Sequence, residues 1–337
     1  MKKDDVKARK EHEAVRNSVG YYDFTHELLE VTGPDAGKFL DKVFVGAIGS
    51  SKVGDAKYTT MVDEDGIIQD DVIIFRLSED KFWISTLFIK ELIAWLDKYK
   101  EGYDVSYEDR TAKTTMYAVQ GPKTREVLND FLKNKVDDMK FFSIEDNAIG
   151  DTPVKIARSG YTGEIGYELY CSPEDKDLVE KNLEESGKDY GIMNITTDVI
   201  VTSLPREKGY TLLSDLKGTN PIEGGFEWTI DWSKDFVGKE ALEKVKEKGP
   251  EKSLLGFKLD EDDAEVEPGA AVKKDGEEIG KVTVYTYGFT LEKNIGFALV
   301  DNAKAEIGDK VTVCGDKEYE TELESRFFYD PDDTRLR

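Results

Sequence analysis

The chain has 337 residues, of which 39% are hydrophobic, and its formal net charge is −24. This length has room for two or three domains, whereas no apolar run approaches the roughly 18 residues of a transmembrane helix and no charged-then-apolar leader is present, so we expect a cytoplasmic protein. The negative charge argues against nucleic acid and anionic membranes as partners, because both are polyanions that need basic patches.

The first part of the chain predicts a mixture of helices and strands. A charged helix over residues 5–18 comes first, followed by a strand at 28–31 and a helix that opens at Gly33-Pro34. Three strands are then predicted at 57–62, 72–77 and 81–86, and a further helix at 89–99. Tyr22 and His26 lie just before the first of these strands. A lone histidine there is more often a hydrogen-bonded structural residue than a catalyst.

An acidic stretch, Asp63-Glu-Asp-Gly-Ile-Ile-Gln-Asp-Asp71, separates two of the predicted strands. The flanking alternation predicts a hairpin-like connection. Its content of Asp and Gly is typical of a surface turn. Asp70 and Asp71 directly precede a buried-looking strand, which leaves a functional carboxylate as the alternative.

The middle of the chain repeats the earlier order of strand, Gly-Pro and helix, at 114–119, Gly121-Pro122 and 123–133. This echo predicts two related α/β subdomains. Two strands, at 152–157 and 166–171, then flank a turn, and helices are predicted over 173–186 and 196–203.

The turn between those two strands is Tyr161-Thr-Gly-Glu164. Glycine allows a backbone to come close to a flat ligand, and the two oxygens of Glu164 can accept paired N–H donors from a ring such as a pterin. The alternative is a hairpin whose glycines serve only the turn, since an isolated glycine motif is a weak signal.

The last part of the chain predicts a small β-barrel. Gly249-Pro250 marks a boundary, because neither residue continues a helix. Beyond it, short strands with Gly or Asp turns follow at regular spacing, at 254–259, 271–273, 278–286, 295–300 and 310–313. We therefore predict a first module over residues 1–249 and a barrel domain over 250–337. The two cysteines, Cys171 and Cys314, fall in separate predicted strands and are too scattered for a disulfide framework or a metal cluster, so no metal site is predicted.

Tyr161-Thr-Gly-Glu-Ile-Gly-Tyr-Glu168 closely resembles the YTGExGxE motif of the folate-binding aminomethyltransferase family, which includes the glycine cleavage T-proteins and tetrahydrofolate-dependent demethylases. Further matching segments follow the family's order from about residue 10 to the end: Tyr22–His26, Asp65–Asp71, Val119–Pro122, Arg206–Tyr210, Asn220–Glu223, Asp235–Leu242 and Phe328–Pro331. The resemblance implies an α+β fold, a three-part cloverleaf of two α/β subdomains and a C-terminal β-barrel, with tetrahydrofolate at the centre.

The resemblance also implies roles for particular residues. It makes Asp70 the catalytic acid, because in the family the first acid of this pair faces the folate and the transferred carbon, and it makes Glu164 the pterin anchor. Weaker candidates are Tyr161, Trp83, Ser85 and Glu207 for the cofactor, and Tyr22, His26 and Arg206 for the substrate. One departure concerns Pro205, which stands where relatives have arginine, so that Arg206 is displaced by one residue and its planar fork must point elsewhere.

The implied activity is one-carbon transfer to tetrahydrofolate. We expect a methyl group from a small methylated donor, because the family's carrier protein is typically acidic and would be repelled by a charge of −24, and because the segment after Trp83 is shortened as in the demethylases. The alternative is a genuine glycine cleavage aminomethyltransferase that acts on a lipoyl carrier protein. A non-enzymatic folate-binding accessory protein is the third possibility, but those relatives carry a cysteine in Lys-Gly-Cys-Tyr, which Lys208-Gly209-Tyr210 lacks.

Overall fold

A computed structural model describes all 337 residues and contains seven α-helices and seventeen β-strands in three sheets. The helices are α1 (Val6–Asn17), α2 (Ala36–Val43), α3 (Ile89–Tyr99), α4 (Thr124–Phe131), α5 (Lys176–Gly187), α6 (Leu204–Lys208) and α7 (Lys239–Lys248). The strands of the first two sheets are β1 (Gly20–Asp23), β2 (Glu27–Thr32), β3 (Ala56–Val62), β4 (Ile68–Ser78), β5 (Lys81–Thr86), β6 (Ser106–Asp109), β7 (Thr115–Gln120), β8 (Ile144–Ile149), β9 (Thr152–Ala157), β10 (Gly166–Cys171) and β11 (Met193–Asn194). Those of the third are β12 (Lys252–Leu259), β13 (Ala271–Lys274), β14 (Glu277–Gly288), β15 (Lys293–Asp301), β16 (Lys310–Cys314) and β17 (Glu318–Glu322).

The first sheet has the strand order β3-β4-β5-β2-β6. One of its faces packs against α2 and α3, and Val72, Ile74 and Ile84 belong to that core. Successive side chains of a strand point to opposite faces, so Ile73, Phe75 and their neighbours lie on the other face. We call that other face the inner face.

The second sheet has the order β11-β1-β7-β10-β9-β8 and is covered on one side by α4 and α5, whose Leu128 and Leu183 share a core with Tyr167. Its opposite side turns toward the inner face of the first sheet. A single buried cluster joins Tyr170 of the second sheet to Phe75 and Trp83 of the first. The two α/β halves therefore enclose the middle of the molecule between their sheets.

The third sheet curls into the predicted C-terminal barrel. Its six antiparallel strands run β12-β15-β14-β13-β16-β17, and a bridge between Gly256 and Glu324 joins the two ends. Strand β17 was not predicted, because Glu-Tyr-Glu-Thr-Glu has only one apolar residue, the buried Tyr319. The predicted α+β class with a cloverleaf and a barrel is confirmed. No helix has the length and apolar character needed to cross a membrane, and the cytoplasmic location stays a prediction.

Pro205 reshapes the helix that leads into α6. Proline lacks the N–H that would bond to the carbonyl four residues earlier, and its ring crowds that carbonyl. The chain responds with a wider, π-helical turn over Val199–Ser203, in which the N–H of Leu204 donates to the carbonyl of Val199. The helix predicted over 196–203 is thus present but locally unwound, and it continues through Arg206 and Glu207.

The acidic connection is shorter than the sequence predicted. Strand β4 already begins at Ile68, and a register shift opposite Met61 and Val62 leaves Gln69 as the extra residue of a bulge. Asp70 and Asp71 therefore belong to a strand rather than to an exposed loop.

A recess between the sheets as the candidate active site

Asp70 and Asp71 lie on opposite faces of the first sheet. Ile73 pairs with Ser85 across β4 and β5, and Phe75 pairs with Trp83, so Asp71, two residues before Ile73, shares the inner face with Ser85 and Trp83. Asp70 points to the other side, where the helices pack. The expectation that Asp70 faces the same space as Trp83 and Ser85 is corrected by this geometry, and the role of either acid in catalysis is not tested by it.

Asp70 occupies a closed polar pocket. The hydroxyl of Thr86 donates to its Oδ2 at 2.7 Å, the backbone N–H of Asp71 donates to its Oδ1 at 2.9 Å, and only 3% of the residue is exposed. Burial raises the pKa of Asp70 to about 7, against the hydrogen bond from Thr86 that lowers it. These contacts are those of a buried structural carboxyl group.

Asp71 is surrounded by protein on most sides but remains partly accessible. The hydroxyl of Tyr58 donates to its Oδ2 at 2.8 Å, no other side chain donates to its carboxylate, and burial raises its pKa to about 6. Asp71, Tyr58 and Tyr161 are surrounded on most sides by other groups and yet keep part of their surface accessible. We call the partly accessible space that these three residues border the recess.

Tyr161 forms another wall of the recess. Its ring stacks on Tyr210 with centroids 5.6 Å apart and 23° between the planes, and its hydroxyl donates to the carbonyl oxygen of Thr211 at 2.5 Å. Burial raises its pKa, and so does the nearby charge of Asp71. Tyr161 is also near enough to Tyr22 to raise the pKa of that phenol. The ring thus connects the Asp71 side of the recess to the second sheet.

Glu168 faces this space from the second sheet. Tyr22, Ala118 and Glu168 form one row across β1, β7 and β10. Its Oε2 accepts from the hydroxyls of Ser159 at 2.7 Å and Tyr170 at 3.0 Å, while no protein group donates to Oε1. Burial raises the pKa of Glu168, against the hydrogen bond from Ser159 and the nearby His26, which lower it, and no Lys or Arg pairs with it. A buried carboxyl group with one unpartnered oxygen is a ready acceptor for a ligand N–H.

Glu164, the predicted pterin anchor, is fully occupied by protein. Its Oε1 accepts from Arg16 at 3.2 Å and from the Tyr329 hydroxyl at 2.7 Å, and its Oε2 accepts from Arg335 at 2.9 Å. The residue is 2% exposed. Both oxygens of Glu164 already accept hydrogen bonds from protein groups, and its place in a folate site stays a prediction.

Glu207 belongs to the same network as Glu164. It accepts from Arg16 at 3.1 Å, lies 3.3 Å from His12, and caps the N–H of Thr290 at 2.7 Å. Burial alone would raise the pKa of Glu207, but the hydrogen bond and charge of His12 and the charge of Arg16 lower it below its usual value. We call His12, Arg16, Glu164, Glu207 and Arg335 the ion cluster.

Arg206 is likewise unavailable to a ligand. Its Nη1 donates to Asp215 at 2.5 Å and to the carbonyl oxygen of Tyr210 at 2.9 Å, and the residue is 5% exposed. Arginine recognises carboxylates with its planar fork, and Asp215 already occupies that edge. The proposed substrate contact by Arg206 is untested, but it would require this pair to break.

The remaining predicted residues do lie at the inner face. Trp83 stacks against Tyr170 with centroids 5.8 Å apart and donates its indole N–H to Glu30 at 2.9 Å. His26 contacts Ser85 through a hydrogen bond, and Tyr22 packs on Phe24 with centroids 4.9 Å apart. These residues therefore surround the space that Asp71, Tyr161 and Glu168 border.

Sequence reasoning missed three residues of the recess, Tyr58, Asp71 and Glu168. A signal for one of them, Glu168, was present. The alternation of β5 places Trp83 and Ser85 on one face, but only the observed pairing of Ile73 with Ser85 shows that Asp71, and not Asp70, shares that face. Glu168 belongs to the same motif as Glu164, but it lies inside a strand of apolar and aromatic residues. Burying a carboxylate there costs free energy, which indicates a functional role.

Known proteins match the chain over nearly its whole length. The family model of the GCVT N-terminal domain matches residues 3–234, and that of the glycine cleavage T-protein C-terminal barrel domain matches residues 252–330. The crystal structure of the glycine cleavage system aminomethyltransferase T from Bartonella henselae superposes with a TM-score of 0.86 and 24% identity, covering 96% of this chain and 90% of that one. This likeness establishes the fold.

Curated sequences extend the match to the family. The aminomethyltransferase of Halalkalibacterium halodurans is 36% identical over 315 residues, which cover 90% of this chain and 85% of that protein. The aminomethyltransferase of Bacillus subtilis is 34% identical over 315 residues, with 90% and 86% covered. The chain belongs to the glycine cleavage T-protein family, and the prediction that it is an enzyme, a one-carbon transferase of the aminomethyltransferase class, is confirmed.

Proposed function

We propose that the chain binds tetrahydrofolate in the recess and transfers to it an aminomethyl-derived carbon carried on the lipoyl arm of a carrier protein. The observation that carries the proposal is the pair of incompletely satisfied carboxyl groups, Asp71 and Glu168, that approach one space from two different sheets. A carboxylate oxygen without a protein donor is free to accept from a ligand, so a ligand with several N–H groups would complement the pair.

Glu168 would hold the ring system of the folate. Its unpartnered Oε1 can accept one or two ligand N–H groups, and Ser159 and Tyr170 fix the carboxyl plane through Oε2. Tyr161, braced by Tyr210 and Thr211, offers a flat side wall. When bound, tetrahydrofolate supplies the nitrogens that receive the carbon.

Asp71 would act on the reacting centre. The hydroxyl of Tyr58 holds one oxygen of its carboxylate, and the other is free to face a positive charge that develops during transfer. A preorganised charge in a water-poor site stabilises such a transition state more than the same charge does in water. Asp70, on the other face of the sheet, would keep β4 and β5 in register through Thr86.

The nature of the donor rests on the comparisons. The relatives at 36% and 34% identity are both named aminomethyltransferases, which supports the glycine cleavage alternative over the small methylated donor that the sequence analysis preferred. The methylated donor remains a second candidate because of one observation. Pro205 stands where the resemblance places an arginine, and Arg206 is tied to Asp215, so this segment offers no unpaired guanidinium to a carrier-bound donor.

The test is an assay of both donors with tetrahydrofolate. An aminomethyl-loaded carrier protein should yield methylene-tetrahydrofolate and ammonia in equal amounts. A panel of free methylamines and methylated amino acids is the matched comparison, and methyl-transfer products from that panel with no reaction of the loaded carrier would overturn the choice of donor. Asp71→Asn serves as the inactive control in both arms.

We also propose that the first module spans residues 1–249 and the barrel domain 250–337. Helix α7 ends at Lys248, and Gly249 follows with a positive φ of 82°, a conformation that few residues other than glycine adopt. Limited proteolysis of the full chain should cut first near this junction. A first cut inside either part would contradict the boundary.

A further inference from the structure

His26 and Ser85 form a hydrogen-bonded pair that the proposed function has not yet used. The Nε2 atom of His26 lies 2.5 Å from Ser85 Oγ, and its Nδ1 lies 2.6 Å from the carbonyl oxygen of Phe24. The two residues are far apart in sequence and are brought together by the pairing of β2 with β5, in which Leu28 is opposite Ser85. The ring is further fixed by Phe24, whose centroid is 4.8 Å away.

These contacts determine where the protons are. A carbonyl oxygen only accepts, so the Nδ1 of His26 must carry a hydrogen. In the neutral ring Nε2 is then an acceptor, and the Ser85 hydroxyl donates to it. A hydroxyl that donates to an oriented imidazole is the arrangement from which a proton can be withdrawn.

The pair borders the recess. Ser85 shares the inner face with Asp71 as a diagonal neighbour, at about 7 to 8 Å between backbones, which is less than the width of a folate ring system and its donor group. Ser85 is also partly accessible, whereas its neighbours Ile84 and Thr86 are buried. Ser85 is thus the residue at this end of β5 that keeps accessible surface on the inner face.

We propose that Ser85 and His26 relay a proton during the carbon transfer. As a folate nitrogen bonds to the incoming carbon, its N–H bond breaks and that proton passes to Ser85 Oγ, while the proton of Ser85 passes to His26 Nε2. The imidazolium that results lies close to the Glu168 carboxylate. His26 then returns a proton to Ser85, and Ser85 gives one to the leaving group. A leaving nitrogen departs as ammonia, and a leaving sulfur departs as a thiol.

This inference rests on the proposed function and adds to it a group that moves protons. In the complete reaction two folate N–H protons are lost, and two are gained by the departing amine and thiol, so no other reactant is required. Asp71 contributes charge and Ser85 contributes proton transfer, and each can be removed separately.

The test uses the full-length protein with the donor that proves active. We expect Ser85→Ala to lower kcat by about 10²-fold, the lower end of what positioned proton transfer contributes, with the Kd for tetrahydrofolate changed by less than about 3-fold. Ser85→Thr keeps the hydroxyl and should retain most of the activity. Ser78→Ala, at the far end of β4, is the matched control.

His26→Ala tests the second member of the pair by chemical rescue. The kcat of His26→Ala should fall about as far as that of Ser85→Ala. Added imidazole should then raise the kcat of His26→Ala by at least about 10-fold, which would not happen if the substitution only damaged the structure. Equal kcat for wild type, Ser85→Ala and Ser85→Thr would overturn the relay. A wild-type protein that binds tetrahydrofolate but reacts with neither donor class would instead overturn the proposed function.

Discussion

Two pairs of buried acids, one in the ion cluster and one at the recess, behave in opposite ways. Glu164 and Glu207, in the ion cluster, receive hydrogen bonds from Arg16 and have further protein donors on their remaining oxygens. Glu168 and Asp71, at the recess, meet only neutral hydroxyls and keep an oxygen without a donor. Of these four acids, the two that meet a cation are held by protein groups, and the two at the recess keep an oxygen for a ligand. Asp70 also lacks a cation, but both of its oxygens accept hydrogen bonds on the other face of the sheet.

The consequence appears in the direction of the pKa shifts. In the ion cluster, His12 and Arg16 overcome burial and lower the pKa of Glu207. At the recess no cation does so, and the pKa of Asp71 rises to about 6. The fold thus keeps carboxyl groups buried at the recess although burial disfavours their charged form. Carboxyl groups with a shifted pKa are often found where ligands bind. The following predictions test whether this contrast is real.

The largest effect is expected from breaking the ion cluster. Arg16→Met removes the shared partner of Glu164 and Glu207 and leaves two carboxylates buried with incomplete compensation. Truncating one member of a buried pair typically costs about 3–5 kcal/mol. Urea unfolding should show this loss in free energy of unfolding. Lys10→Met, on the exposed side of the same helix, should change it by less than about 0.5 kcal/mol, and equal effects of the two variants would refute the assignment.

The next effect concerns the two neighbouring aspartates. Asp71→Asn should fold and bind tetrahydrofolate but lose about 10²–10³ in kcat, because it removes the charge that faces the reacting centre. Asp70→Asn, a matched change one residue away, should keep kcat within about 5-fold, since its side chain contacts Thr86 on the other face. Steady-state kinetics of both variants decide between them, and the reverse order of effects would restore Asp70 as the catalytic acid.

Asp70 should still influence stability through pH. Its pKa of about 7 in the folded protein exceeds the value of about 3.9 in an unfolded chain, so the folded state binds the proton more tightly. The resulting stabilisation is fully present below about pH 4 and is lost as the pH rises through 7, by an amount on the order of 4 kcal/mol. Asp70→Asn should remove this part of the pH dependence of thermal unfolding, and a variant with an unchanged profile would show that Asp70 is ionised when folded.

How far the sequence alone could go is visible in particular elements. Strands β9 and β10 and helix α3 occupy the predicted ranges, because their alternation or helical periodicity runs uninterrupted between clear turn residues. The resemblance supplied the rest of the architecture. The resemblance did not show on which face of a strand each side chain lies, because a shift of one residue exchanges the two faces. Nothing in the sequence indicates the bulge at Gln69, which causes such a shift.

Partners that are distant in the chain were equally hidden. Glu164 was predicted to accept N–H donors from a pterin because of its place in the turn and the resemblance, whereas Tyr329 and Arg335 reach it from 165 and 171 residues away. Those contacts exist only once the C-terminal segment has folded back over the turn. The motif holds both glutamates, and only the structure shows that Glu164 is engaged by Arg16, Tyr329 and Arg335 whereas Glu168 has an oxygen without a protein donor.

The most direct measurement compares those two glutamates by calorimetric titration with tetrahydrofolate. Glu168→Gln should weaken binding by about 1.5–3 kcal/mol, the worth of a hydrogen bond to a charged group. Glu164→Gln should bind tetrahydrofolate as the wild type does and lose stability instead, because it weakens the ion cluster. Normal affinity in Glu168→Gln together with lost affinity in Glu164→Gln would contradict the assignment of the recess as the folate site.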